Sequence, residues 1–261
     1  MRLTSIGRQL LMTIALPVIL LALWWVVSAD NTSPFWPSLQ KILQAFPDTW
    51  TSDRVMEDIV PSLARLALGY ALALLVGVGL GTVIGLSRPV RAFLEPALEF
   101  LRAIPPPVII PVIALFVGYS GWTSKIIAIA LGCLWPILLN TVEGVRGLDE
   151  VLVDTARSYR FRRPTYLYQV VLRGSSPQVA TGARQALSIG VIMMVISELF
   201  AADNGLGAAI VQAQRAFAIP EMWTGIILLG VIGFLLSLIF RLAEWRALAW
   251  YRGLRRSERG T

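Results

Sequence analysis

Histidine is absent from the 261 residues, and cysteine occurs once, at Cys133 inside an apolar run. The first absence removes the usual neutral-pH acid–base side chain and the usual nitrogen ligand for zinc or haem; the second removes any disulfide framework. Charge is scarce too. Asp, Glu, Lys and Arg make up 15% of the residues against 56% hydrophobic, and the mean hydropathy is +0.68. A soluble domain carries about 25% charged residues, so this chain lacks the polar surface to cover a globule in water. Lysine is nearly missing. The only two, Lys41 and Lys125, follow Gln40 and Ser124, so no Gly-Lys pair of a Walker A phosphate loop is encoded. The net charge of +7 does not mark a nucleic-acid binder, because the basic residues lie between apolar runs rather than in one patch.

What is present is apolar length. A helix needs about 20 mostly apolar residues to cross a bilayer. Five long uncharged stretches qualify: Gln9–Ala29, Leu66–Ser87, Ala103–Ser124, Ile126–Val142 and Met222–Phe240. A shorter sixth, Gln185–Ser197, continues through Glu198 to Ala202. The runs lack barrel-like alternation, which predicts an all-α integral membrane fold of six transmembrane helices. With a cytoplasmic N-terminus, the inner segments hold 18 of the 23 Lys and Arg residues, and the outer ones only Lys41, Arg54, Arg65, Lys125 and Arg215. This bias places both termini in the cytoplasm. Arg2, Arg8 and Val27-Ser28-Ala29 loosely imitate a secretory signal, but the apolar run of 21 residues exceeds the roughly 7–15 of a signal. Retention as an anchor helix is expected.

Several breaks and seams are legible. Pro105-Pro106-Pro107 and Pro111 open the third span, where missing amide donors favour either an irregular extended turn or a simple interfacial entry. Arg88-Pro89-Val90-Arg91 ends the second span, and Phe93–Arg102 reads as an amphipathic helix near the inner surface. Gly69, Gly77, Gly81 and Gly85 recur at multiples of four, the spacing of a close helix–helix seam. Pro37–Ile59 reads as one or two short outer helices.

The inner loop Glu143–Arg184 is far longer than a minimal connection. Val151, Leu152, Thr155, Ala156 and Tyr159 share a helical face, flanked by Asp149, Glu150, Asp154 and Arg157. Arg160, Arg162 and Arg163 follow. Pro164 then opens a second short helix bearing Tyr166, Leu167, Val170, Val171 and Leu172, which Gly174-Ser175-Ser176-Pro177 is expected to close. Such a helix suits either a partner's groove or a lipid headgroup layer.

This segment resembles the cytoplasmic loop of bacterial ABC importer permeases, whose pattern is Glu-Ala-Ala, three residues, Gly, nine residues, Ile-x-Leu-Pro. Here stand Asp154-Thr155-Ala156, Arg160 in place of Gly, and Val170-Val171-Leu172-Arg173, with Arg173 in place of Pro. Arg102-Ala103-Ile104-Pro105-Pro106, Thr123-Ser124-Lys125-Ile126, Trp135-Pro136 through Asn140-Thr141, and Glu198 ahead of Asn204-Gly205-Leu206-Gly207 are similar to the nitrate/sulfonate/taurine branch. The likeness runs from about Pro61 to Trp250.

The resemblance implies a type I ABC importer-like permease. Residues 1–60 would form an anchor helix and outer segment, 61–250 the core with a coupling loop at 143–184, and 251–261 a basic tail. It implies a multi-pass inner-membrane subunit, not itself an enzyme, importing a small solute such as nitrate, a sulfonate, taurine or an aromatic acid. Its partners would be a second permease subunit, with a homodimer favoured, two ATP-binding cassette subunits that bind ATP and Mg, and an external solute-binding protein. By position, Asp154, Thr155, Ala156, Arg157 and Arg160, with Tyr166 and Leu167, would couple to the ATPase. Trp135, Asn140, Ser188, Met193 and Ser197 are candidates for the translocation path, and Glu198 and Asn204 for an outer gate or binding-protein contact. With no fixed cation read inside the membrane, selectivity is expected mainly in the binding protein. The competing class is an ion-coupled secondary transporter, which usually places ionisable residues at mid-membrane.

Overall fold

A computed structural model describes residues 2–29, 31, 33–119, 121–201 and 203–258. Helix α1 (Arg2–Ala29) is followed by α2 (Leu39–Thr49), whose N-cap Ser38 accepts from the Lys41 amide. A single turn, α3 (Ser52–Arg54), passes through a π-helical stretch, Val55–Ile59, into α4 (Val60–Leu86). Then come α5 (Arg88–Ala103), α6 (Pro106–Val117), α7 (Trp122–Arg146) and α8 (Glu150–Ser158). The turn α9 (Arg163–Thr165) leads through a second π-helical stretch, Tyr166–Leu172, into α10 (Arg173–Ala201). Three more follow: α11 (Leu206–Arg215), α12 (Ile219–Ala247) and α13 (Ala249–Glu258). No strand occurs among the described residues.

Among the described residues four helical stretches are long and apolar enough to cross a bilayer: Ser52–Leu86, Trp122–Arg146, Arg163–Phe200 and Ile219–Ala247. Helix α1, at 28 residues, also has the length. The expected third span differs. Its α6 has only 12 residues, roughly 18 Å of rise, and bends 95° from α5. Ile104 and Pro105 are extended (ψ 119° and 124°) between the two helices, so the proline run makes an irregular turn, and Gly118 at φ 91° ends α6. The amphipathic helix expected at Phe93–Arg102 is α5.

The core is α7 clamped between α4 and α10. A Cβ added at Gly69, Gly77, Gly81 or Gly85 would lie 2.7–2.8 Å from Ile129, Ile137, Thr141 or Val145 respectively. The register is constant, so α4 and α7 run parallel at backbone contact, with Ala73 and Cys133 buried between the same ridges. Gly79, off that spacing, faces open space. The predicted seam is real, and it packs helices of one chain. Helix α10 runs antiparallel on the other side of α7. There Gly182 lies against the Pro136 carbonyl and Gly132 against Met193.

Gly174-Ser175-Ser176-Pro177 does not close a helix; the rod runs unbroken from Arg163 to Phe200. Pro177 cannot donate to the carbonyl one turn earlier, at Arg173, and the Ser176 hydroxyl donates to it instead (2.8 Å). Gly144 of α7 packs against Ser175. Small residues here serve close packing and not chain reversal.

Candidate functional site

The polar residues gather at opposite ends of the α4–α7–α10 core. At one end, Glu198 near the end of α10 is buried at 1% exposure and meets Arg65 of α4, itself at 2%. The Arg65 Nη1 donates to Glu198 Oε1 at 3.0 Å, and Ser62 Oγ lies 2.7 and 2.9 Å from the two carboxylate oxygens. The Gly207 amide donates to Glu198 Oε2 (2.9 Å). Arg65 also donates to the Asn204 carbonyl (3.0 Å) and to its side-chain oxygen (2.5 Å), and its guanidinium lies 5.0 Å from the Trp122 ring centroid. Asp58 accepts from the Gly205 amide at 2.9 Å and pairs with Arg54 at 3.2 Å.

The start of α11 is thereby tied to α4 and α10. Its first amides, left without partners by helix geometry, are served by Ser62 and Glu198. Gly205 is obligatory on two counts. Its φ is +122°, and a Cβ there would stand 2.6 Å from the Glu198 carboxyl carbon. Two cations counted with the outer loops, Arg65 and Lys125, are in fact buried, and Lys125 Nζ donates to the Tyr119 carbonyl (2.6 Å). Sequence reading missed Arg65 and Ser62. Their partner lies more than 130 positions away, and only the four- and three-residue spacing of Asp58, Ser62 and Arg65 on one helical face hinted at a polar stripe.

At the other end, α8 stands out from the core. Asp149 caps it by accepting from the Val151 amide (2.9 Å). Of its apolar face only Ala156 is buried; Val151 is 73% exposed and Tyr159 76%. Asp154, Thr155, Arg157 and Arg160 are exposed as well, and Asp154 pairs with Arg157 at 3.3 Å. Tyr166 is half-buried and Leu167 exposed on the π-helical stretch packed beside α8.

Arg160 adopts φ +50°. It closes α8 in a left-handed cap, in which the Phe161 amide donates to the Ala156 carbonyl (3.1 Å) and the Arg160 amide to that of Arg157 (2.9 Å). The turn that a glycine adopts freely is thus kept by an arginine, at a cost of roughly 1–2 kcal/mol for the side chain.

The path candidates separate. Met193 is enclosed in the core against Gly132, and Ser197 is buried, its hydroxyl donating to the Met194 carbonyl (2.9 Å). Trp135 and Asn140 are half-buried and Ser188 is exposed; the Asn140 amide donates to the Pro136 carbonyl (2.8 Å). No cluster of three or more metal-ligating side chains occurs among the described residues.

Comparison with known proteins gives a consistent result. Residues 59–246 match the family model described as "Binding-protein-dependent transport system inner membrane component". The chain is 32% identical to the taurine transport system permease protein TauC of Escherichia coli over 94% of its length and 92% of that protein's. It is 32% identical to the bicarbonate transport system permease protein CmpB of Synechococcus elongatus, over 71% of this chain and 66% of that one. An inward-facing MetNI methionine ABC transporter shares the fold, with a TM-score of 0.64 at 17% identity over 73% of this chain and 94% of that chain. The ion-coupled alternative is not favoured. With its apolar helices and these relatives, the chain belongs to the binding-protein-dependent transport system inner membrane component family, as a multi-pass, non-enzymatic permease subunit of an ABC importer of the nitrate, sulfonate and taurine type.

Proposed function

We propose that two copies of this chain form the membrane pathway of an importer for a small anion, delivered by an external binding protein and driven by two ATPase subunits that hold ATP and Mg. The observation that carries the reading is α8, a capped helix that stands out from the core beyond the apolar spans with its apolar face left open at Val151 and Tyr159. A folded chain does not hold such a face toward water without a partner. Asp154, Thr155, Ala156, Arg157 and Arg160 would seat in a cleft of the ATPase, with Tyr166 and Leu167 packing alongside. Helix α10 then transmits the motion, since the π-helical stretch beside α8 continues into it without a break. In this orientation both chain termini face the cytoplasm and the Arg65–Glu198 cluster sits at the outer end. There Glu198 and Asn204 would fasten the α10–α11 turn as an outer gate.

The relatives named for taurine and bicarbonate transport support an anionic solute. Discrimination would lie mainly in the binding protein, because the two terminal nitrogens of Arg65 donate to Glu198 and Asn204 and Lys125 donates to the Tyr119 carbonyl. Trp135, Asn140, Ser188, Met193 and Ser197 remain the proposed path residues. The test is reconstitution with the ATPase and the binding protein. Binding-protein-stimulated hydrolysis should collapse on reversing charge at Asp154 and Arg157 together, and stimulation that survives this change overturns the coupling assignment.

A further inference from the structure

Arg173 stands where the family loop pattern has proline, and coupling does not account for it. The structure puts it in a particular place. Its guanidinium lies 5.3 Å from the ring centroid of Trp250 on α13. The two side chains border a cavity of about 330 Å³ completed by Tyr168, Leu172, Ser176 and Ala247. Arg173, Tyr168 and Ala247 are exposed there. The cavity offers a planar cation, the hydroxyl of a tyrosine, and apolar walls from leucine and tryptophan.

Its depth follows from helix rise. Arg173 lies 27 residues before Phe200 on one span, and Ala247 lies 28 residues after Ile219 on another. At 1.5 Å per residue both are roughly 40 Å from the far ends of their helices. A bilayer with its headgroups is about 40–45 Å thick. The cavity therefore sits at headgroup level on the side opposite the Arg65–Glu198 cluster. Helix α13 begins two residues after α12 ends, so it is held at the same level. Trp245, Arg246, Trp250 and Arg252 lie there, and Arg252 is 5.2 Å from the Trp245 ring centroid. Aromatic and basic residues at this depth match the polar–apolar boundary of an anionic leaflet.

We infer that Arg173 and Trp250 form a binding site for the phosphate of an anionic phospholipid in the inner leaflet, so that lipid charge holds the root of the coupling arm. The phosphate accepts from the guanidinium and from the Tyr168 hydroxyl, while the acyl chains leave along Leu172 and Ala247. Because Tyr168 and Leu172 belong to the π-helical stretch packed beside α8, an occupied site stiffens the lever that meets the ATPase. The orientation used here rests on the importer reading above.

The experiment uses the full importer complex in nanodiscs of phosphatidylcholine alone or with phosphatidylglycerol. It reads binding-protein-stimulated hydrolysis, and native mass spectrometry counts retained phosphatidylglycerol. For the wild type the ratio of rates with and without phosphatidylglycerol should exceed one. In Arg173→Gln that ratio should fall toward one, with retained phosphatidylglycerol reduced about fivefold, the effect of one basic residue at an anionic surface. Arg173→Lys should fall between them, since it keeps the charge and loses the planar stack. Equal ratios and equal lipid retention in wild type and Arg173→Gln overturn the inference, as does a wild type indifferent to phosphatidylglycerol. If soluble glycerol phosphate reproduces the effect in detergent, the ligand is a free anion and the lipid assignment falls. Absence of stimulation in every lipid would sink the importer reading instead, while lipid retention still decides this site.

Discussion

The two ends of the bundle treat polar and apolar groups in opposite ways. At the Arg65–Glu198 end, charges are buried and nearly every donor and acceptor is answered from within the chain. At the α8 end, charges are exposed and the apolar face is left open at Val151 and Tyr159. The first end is closed on itself but for the buried Arg65 Nε, and the second is open. Internal satisfaction gives rigidity and a closed turn, whereas an unanswered face specifies a partner.

The largest effect should come from breaking the closed end. Glu198→Leu leaves Arg65 buried without its counter-charge, which costs about 3–5 kcal/mol. The thermal unfolding midpoint of the purified chain in detergent should drop sharply. Adding Arg65→Met should recover part of the loss, and no recovery would show that the ion pair is not what holds this end. Gly205→Ala should be nearly as damaging, through both its φ of +122° and its contact with the carboxyl group.

The seam gives the next size of effect. Gly77→Val forces a branched side chain against Ile137 and should cost about 1–3 kcal/mol, while Gly79→Val, facing open space, should leave the unfolding midpoint unchanged. Equal effects at the two positions would mean that α4 does not pack on α7 along this ridge.

At the open end substitutions should barely touch stability. Arg160→Gly removes the strain of a left-handed arginine but adds freedom to the unfolded chain, for a net gain of about 0.5 kcal/mol. An unfolding midpoint that falls would show that the Arg160 side chain itself holds the cap.

How much of this was legible in sequence depends on the range of the forces involved. Local periodicity reached the glycine seam, because Gly69, Gly77, Gly81 and Gly85 carry their spacing on one helix. It also reached α8, through the face containing Val151 and Ala156. It gave the amphipathic α5 and the break at Pro105. It did not reach the Arg65–Glu198 pair, whose members sit on separate helices with no local sign of each other. It also misjudged Gly174-Ser175-Ser176-Pro177. Those residues resemble a turn, yet the Ser176 hydroxyl answers the carbonyl left by Pro177 and the small side chains admit α7. Arg160 shows the converse case, with a left-handed turn of the kind glycine favours held under an arginine side chain by the cap hydrogen bonds.

The claim that the open face of α8 belongs to a separate ATPase can be tested with a single label. Cys133 is buried, so Val151→Cys places one reactive thiol on that face. In inside-out membrane vesicles a membrane-impermeant maleimide should label it readily when the chain is expressed alone, and at least tenfold more slowly when the cognate ATPase subunits are present. Labelling at the same rate with and without those subunits would contradict the account.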